Sequence, residues 1–320
     1  MGESGKIESR LKKVRVGVVG VGYLGEHHAR LYADLPGAEL VGVCDLDADR
    51  AAAVAKKYGT RAFPSPAELA REVEAASVVV TTRDHASVAI PLLGGGIDLL
   101  VEKPLAASVA EAREIVEAAD LSGRILQVGH LERFNGAVRA LVPLVREPRF
   151  IEAHRLGPFV ERAADVSVVT DLMVHDLDIL LAMVPGEIRS ILAVGTRVVS
   201  DHVDIANARI EFDSGCVANV TASRVSPEKQ RKIRIFEPDA YMALDYARQE
   251  IEVYRKQPPL APGGRAQIVR ETVHVEKGES LREELIAFLD AVRERKAPIV
   301  SGWDGLKALE VADEIEKKIG

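Results

Sequence analysis

The chain has 320 residues, 47% of them hydrophobic and 28% charged, with a formal net charge of −7; this suits two folded domains and excludes a disordered chain, and the acidic balance argues against a nucleic-acid surface. No apolar run approaches the ~18 residues of a membrane span, and the opening Met1-Gly-Glu-Ser-Gly-Lys6 lacks the apolar core of a signal peptide. Only two cysteines occur, Cys44 and Cys216, which gives no disulfide framework and makes a reducing cytoplasm the expected location.

Residues 16–25 read as an apolar strand running into Gly20-Val-Gly-Tyr-Leu-Gly25, and a second apolar run, Leu40-Val-Gly-Val-Cys-Asp45, ends on an acidic residue. Strand, glycine triplet, helix, strand and acid in this order form a dinucleotide-binding fingerprint. Gly20 allows the tight turn, Gly22 lets the backbone approach a pyrophosphate, and Gly25 lets helix pack on strand. The helix N-terminus supplies N–H donors to phosphate. Asp45 suits the adenosine ribose hydroxyls and repels a 2′-phosphate, while Leu46 and Asp47 supply no cation for one. The expected cofactor is therefore NAD, with Arg50 placed on the exposed face of the next helix.

The alternation continues. Helices are predicted over 24–35, 47–58 (closed by Gly59), 66 onward, 86–93 and 108–122, the third and last opened by the capping boxes Ser65-Pro-Ala-Glu68 and Ser108-Val-Ala-Glu111. Strands are predicted over 77–82, 97–102 and 124–129. Near-continuous apolar strands between helices imply a parallel sheet covered on both faces, an α/β Rossmann domain over 11–129. Beyond 130 a helix over 135–145, a strand over 150–156 and a long helix over 168–184 precede strands at 188–199, 205–212, 216–223, 233–236 and 251–254. Strands in succession indicate a second, α+β domain over 130–320 with a largely antiparallel sheet. The loop 257–264 is rich in Pro and Gly, and two helices, over 280–296 and 304–318, close the chain.

Two sets of residues point to chemistry. Glu102-Lys103-Pro104 ends a parallel strand, the edge where open α/β sheets place ligands; a lysine there can hydrogen-bond a substrate hydroxyl or simply be solvated. Asp171, His175 and Asp178 share one helical stripe among apolar neighbours, an arrangement suited to a general base with an orienting carboxylate, or to an Asp and His that satisfy each other. No cysteine or histidine cluster completes a metal set. His27 and His28 carry no sharp role. The basic segment from Arg224 to Arg234 suits either a phosphate or a solvated, subunit-facing sheet. Arg133 and Asn135 lie at the domain crossover, to reach a substrate or to fix the hinge.

With these pieces in order, the chain resembles the glucose–fructose oxidoreductase, inositol dehydrogenase and rhizopine-catabolism oxidoreductase family (Gfo/Idh/MocA). The resemblance rests on Gly20–Gly25 with Asp45, Glu102-Lys103-Pro104, Asp171 with His175, and Ile299-Val-Ser-Gly-Trp-Asp-Gly305. It implies a nicotinamide cofactor, a sugar or cyclitol substrate, a C-terminal domain with an open, mostly antiparallel sheet, and a homodimer or homotetramer built on that sheet. It also implies a catalytic set of Lys103, Asp171 and His175 and a cofactor set of Gly20, Gly22, Tyr23, Leu24, Gly25, Asp45, Thr81, His85, Glu102 and Lys103. Arg83 stands where the family usually has proline after a threonine. Residues 128–135, 171–178 and 235–241 further resemble the nucleotide-sugar branch, the UDP-N-acetylglucosamine 3-dehydrogenases that supply amino sugars for lipid A. On that resemblance Arg133, Asn135, Arg155 and Arg162 join Lys103, Asp171 and His175 as expected substrate contacts. A free polyol such as an inositol is the alternative substrate, and a non-catalytic NAD-sensing protein is the alternative class.

Overall fold

The computed structural model describes residues 12–160, 166–260 and 264–320, which form two compact units. In the first, β1 (Val14–Val19), β2 (Ala38–Cys44), β3 (Arg61–Phe63), β4 (Ala75–Val78), β5 (Asp98–Glu102) and β6 (Leu126–Gly129) pair in parallel in the order β3-β2-β1-β4-β5-β6. Helices α1 (Tyr23–Asp34), α2 (Ala48–Tyr58), α3 (Pro66–Ala70), α4 (His85–Gly94) and α5 (Val109–Ser122) connect them. The strand order reverses beside β1, so the carboxyl ends of β1 and β4 open the crevice where such sheets bind ligands. Ser65 and Ser108 accept from the backbone N–H groups of Glu68 and Glu111, and Gly59 and Gly123 end α2 and α5 in the left-handed conformation, as their spacing predicts. The short edge strand β3 has no apolar run to announce it.

The second unit contains α6 (Gly136–Leu141), β7 (Phe150–Leu156), a π-helical turn over Val169–Met173 and α7 (Val174–Met183). Its sheet adds β8 (Ile188–Thr196), β9 (Ile205–Phe212), β10 (Val217–Ser223), β11 (Gln230–Phe236), β12 (Ala240–Asp245), β13 (Glu250–Gln257) and β14 (Gln267–Glu271), in the order β14-β13-β12-β11-β7-β10-β9-β8. Every pair is antiparallel except β7 with β10. Period-two alternation sends Ile151, Ala153, Ala208, Ile210, Ala218 and Val220 into the core under α7, while Phe150, Glu152 and His154 stand on the other face. The predicted long helix is thus a π turn followed by an α-helix. β12 and β14 were not foreseen: β12 carries small and polar residues between its apolar ones, and β14 is a largely exposed edge. Residues 261–263 of the Pro/Gly-rich loop lie outside the described residues.

The linear division at residue 130 requires one correction. Helix α8 (Ser280–Glu294) and the chain to Lys307 return to the first unit, and α9 (Gly302–Ile319) begins there and ends in the second. Leu281, Leu285, Phe288, Leu289 and Val292 form one stripe that packs with Val16, Leu31 and Tyr32, and Gln127 Nε2 donates to the Glu284 carbonyl at 3.1 Å. An amphipathic stripe states that a helix covers something, not which sheet it covers. Among the described residues no helix is long and apolar enough to cross a membrane.

Candidate active site

At the carboxyl ends of β1, β2 and β4 a cleft of about 540 Å³ is lined by Gly20, Gly22, Asp45, Leu46, Arg50, Val80, Thr81 and Asp84, among others. Gly20 has φ +86°, and a Cβ on it would stand 2.5 Å from the Val79 carbonyl oxygen; on Gly25 it would meet the Gly20 carbonyl oxygen at 1.9 Å. Gly22 meets nothing within 4 Å, so its backbone faces open space. The three glycines therefore divide as expected: Gly20 and Gly25 shape the turn, and Gly22 leaves room for a ligand. Tyr23 and Leu24 stand exposed on the first turn of α1. Asp45 Oδ2 accepts the Val21 N–H at 2.7 Å and Oδ1 accepts that of Asp47 at 2.9 Å. Arg50 is exposed on α2, as expected, and its side chain also borders the cleft, with Nη1 3.4 Å from Asp45 Oδ1 and Nη2 3.1 Å from Asp47 Oδ2. Cys44 is buried beside Asp45; burial, then the Asp45 and Glu68 carboxylates, pushes its thiol up to about 11, which keeps it protonated.

These residues fit a dinucleotide. A volume of this size, a glycine with an open Cβ position, a helix N-terminus and a fixed carboxylate at the next strand end match a pyrophosphate and a ribose.

Lys103 follows β5, half-buried. Its backbone N–H donates to Glu102 Oε2 at 3.1 Å, and Glu102 Oε1 lies 3.1 Å from Nε2 of His28, a fully buried residue of α1. His28, which carries no sharp role in the sequence, joins the helix of the glycine turn to the Glu102-Lys103 segment. His85 corrects an expected cofactor contact. It is 1% exposed, with Nδ1 3.1 and 3.2 Å from the Pro104 and Leu105 carbonyls and Nε2 3.2 Å from that of Val80. Burial lowers its pKa against the opposing pull of these carbonyls, so the ring is a neutral brace behind the Lys103 loop. Where the family has proline, Thr82–Asp84 form a 3₁₀ turn closed by a Thr81–Asp84 side-chain hydrogen bond, and Arg83 points to solvent.

In the second unit Asp171 lies in the π turn and His175 in the first turn of α7, both half-buried. Asp178 is buried, with Arg133 Nη1 3.9 Å from its carboxylate and 3.5 Å from its carbonyl. Two expected substrate contacts are spent inside the fold. Asn135 caps α6: it accepts from Ala137 N at 3.0 Å, donates to the Tyr246 carbonyl at 3.0 Å, and is 3% exposed. Arg155, also 3% exposed, binds Asp176 and Glu132. Arg162 lies outside the described residues. The basic segment is largely neutralised: Arg224 pairs with buried Asp204 at 2.7 Å, Lys232 with Asp245 at 3.6 Å, and Arg234 with Glu152 at 3.5 Å. Lys229 and Arg231 of the same segment stand exposed.

Comparison with known proteins places this geometry. Residues 14–130 match the oxidoreductase family with an NAD-binding Rossmann fold, and residues 132–242 match the GFO/IDH/MocA C-terminal domain. A UDP-N-acetylglucosamine 3-dehydrogenase of Acidithiobacillus ferrooxidans is 37% identical over 300 residues, 93% of this chain and 95% of that protein. A scyllo-inositol 2-dehydrogenase (NAD(+)) of Bacillus subtilis is 29% identical over 93% of this chain and 92% of its own length. The solved structure of the Acidithiobacillus enzyme superposes with a TM-score of 0.88, covering 97% of this chain and 98% of that one at 35% identity. A levoglucosan dehydrogenase in complex with NADH and L-sorbose shares the fold at a TM-score of 0.86, with 97% of each chain covered and 17% identity. With both units matched and such a relative along nearly its whole length, the chain belongs to the Gfo/Idh/MocA family of oxidoreductases.

Proposed function

We propose that the chain oxidises the ring 3-hydroxyl of a UDP-linked N-acetylhexosamine, UDP-N-acetylglucosamine first among them, to a keto sugar, with NAD as the cofactor. The observation that carries this reading is 37% identity to the UDP-N-acetylglucosamine 3-dehydrogenase over 93% of the chain. Asp45, held by Val21 and Asp47, supports NAD, since a fixed carboxylate accepts ribose hydroxyls and opposes a 2′-phosphate. Supply of amino sugars for lipid A carries over from the resemblance as part of the same proposal.

Bound NAD supplies the hydride acceptor. His175 accepts the hydroxyl proton, Asp171 orients its imidazole and stabilises the imidazolium, and Lys103 hydrogen-bonds the reacting oxygen. Glu102 fixes the Lys103 backbone, and His85 braces the two residues that follow. Of the cations expected to meet the diphosphate, Arg155 is committed internally and Arg133 turns toward Asp178, so the substrate rests on the relative and not on a cation pocket.

The test is single-turnover formation of NADH with UDP-N-acetylglucosamine, free N-acetylglucosamine or inositol. Remote binding of the diphosphate also positions the sugar, so the free sugar is expected to react more slowly and not only to bind more weakly. Reduction of NAD by inositol alone would overturn the nucleotide-sugar reading. Lys103→Ala and His175→Ala are each expected to lose about 10²–10⁴-fold in rate with NAD binding retained; wild-type turnover by either removes that residue from the mechanism.

A further inference from the structure

Arg155 sits on the covered face of β7, in line with Ile151 and Ala153, where a charged side chain is costly unless paired. Nε donates to Asp176 Oδ2 at 2.7 Å, Nη2 to Asp176 Oδ1 at 3.1 Å and Nη1 to Glu132 Oε1 at 2.9 Å. The Tyr246 ring lies over the guanidinium, 5.0 Å from its centroid, and Asn135 Nδ2 joins the Tyr246 carbonyl to Glu132 Oε2. Burial and the Asp176 carboxylate hold the Tyr246 hydroxyl well above the ordinary phenol range, so it stays neutral. Arg155 and Asp176 are thus a two-point pair within a buried cluster that ties the first turn of α7 to a central strand.

Asp176 is fully buried and directly follows His175. The π turn over Val169–Met173 comes immediately before, and a π turn inserts one residue into the helical register. The rotation of α7 about its axis is therefore not set by its own hydrogen bonds alone. A bidentate contact from a fixed strand accepts one rotation and rejects others. We propose that Arg155 is a positioning residue: through Asp176 it fixes the rotation of α7 and with it the place of the His175 imidazole. Stability alone does not require the pair, because apolar residues of similar volume commonly replace a buried ion pair at no net cost. The inference rests on His175 being the base.

The test combines melting temperature with kinetics on UDP-N-acetylglucosamine and NAD for Arg155→Lys, the double variant Arg155→Met/Asp176→Leu, and His175→Ala. Lysine keeps the charge but loses the two-point contact. A misplacement on the order of 1 Å can cost about 10²-fold. The double variant also takes the Arg155 donor from Glu132 and is expected to melt below wild type, yet, assayed well below its melting temperature, to show kcat reduced about 10–100-fold with KM for NAD unchanged, and Arg155→Lys to fall between it and wild type. Wild-type kcat in a stable double variant, or in Arg155→Lys should the double variant not fold, would overturn the inference while leaving the base assignment intact. Wild-type turnover by His175→Ala would overturn both.

Discussion

Val21 donates its backbone N–H to Asp45 Oδ2 at 2.7 Å, tying the inside of the glycine turn to the carboxylate at the end of the next strand. The acid proposed to face the ribose is thereby set by the same turn that is proposed to receive the phosphates. Arg50 approaches the other oxygen of Asp45 at 3.4 Å, so a cation stands ready once the carboxylate is removed. Asp45→Ser alone is expected to raise affinity for NADP and lower that for NAD by about tenfold each, the worth of ~1.4 kcal/mol. Arg50→Ala in that background should cancel the gain in NADP affinity. Titration of both cofactors by fluorescence checks it; unchanged preference in Asp45→Ser would sink the assignment.

The glycines of the turn are expected to separate by phenotype. Gly22→Ala meets open space and should fold with wild-type stability while binding NAD at least tenfold more weakly, about 1.4 kcal/mol. Gly25→Ala drives a methyl against the Gly20 carbonyl and should lower the melting temperature as well. Calorimetry beside NAD titration tells them apart. Equal stability of the two variants would refute the division of roles.

Acid should destabilise the fold in two stages. His85 titrates below its ordinary 6.5 because burial opposes its charge, so the unfolded chain takes up that proton first and stability falls as pH drops below about 6.5. Asp204 is buried, which works to raise its pKa, but the N–H groups of Val198, Val199 and Ser200 and the Arg224 guanidinium hold it well below its ordinary 3.8. Its contribution is complete above 3.8 and is lost as pH falls further. Asp204→Asn takes the carboxylate charge away from the buried Arg224 guanidinium, which keeps the Val166 carbonyl and the Ser200 hydroxyl, and is expected to cost about 3–5 kcal/mol near neutrality while flattening the lower stage. Urea midpoints followed from pH 7 to 3 measure both, and an unaltered lower stage in Asp204→Asn would count against the assignment.

Assembly is expected through the uncovered sheet face of the second unit. Phe150, Phe236, Tyr241 and Tyr254 form a continuous aromatic row there, with successive centroids 5.7, 5.1 and 6.1 Å apart. Leu192 and Val194 add apolar surface at 65% and 66% exposure. A face of this kind suits a second copy of the chain. Sedimentation at micromolar concentration should give a dimer or tetramer, and Phe236→Asp should shift it toward monomer. Wild-type chain that sediments only as monomer would refute this.

The sequence by itself determined the first unit almost completely, because its signals are local. Gly20, Gly22, Gly25 and Asp45 act through backbone sterics and a fixed spacing, and the serine and glycine caps mark helix ends within four residues. Lys103 was legible as a candidate because it ends a strand of a recognisable parallel sheet. What the tertiary structure decided are long-range polar pairings and the ownership of amphipathic elements. Arg155 read as an available cation until Asp176 and Glu132 were folded around it, and Asn135 until it met the Tyr246 carbonyl. His85 read as a cofactor contact until three carbonyls closed on it. Helix α8 carries the same apolar stripe whichever sheet receives it, and only packing assigned it to the first unit. Periodicity records that a side chain will be buried; its partners come from residues 20 or more positions away, and no local pattern encodes them.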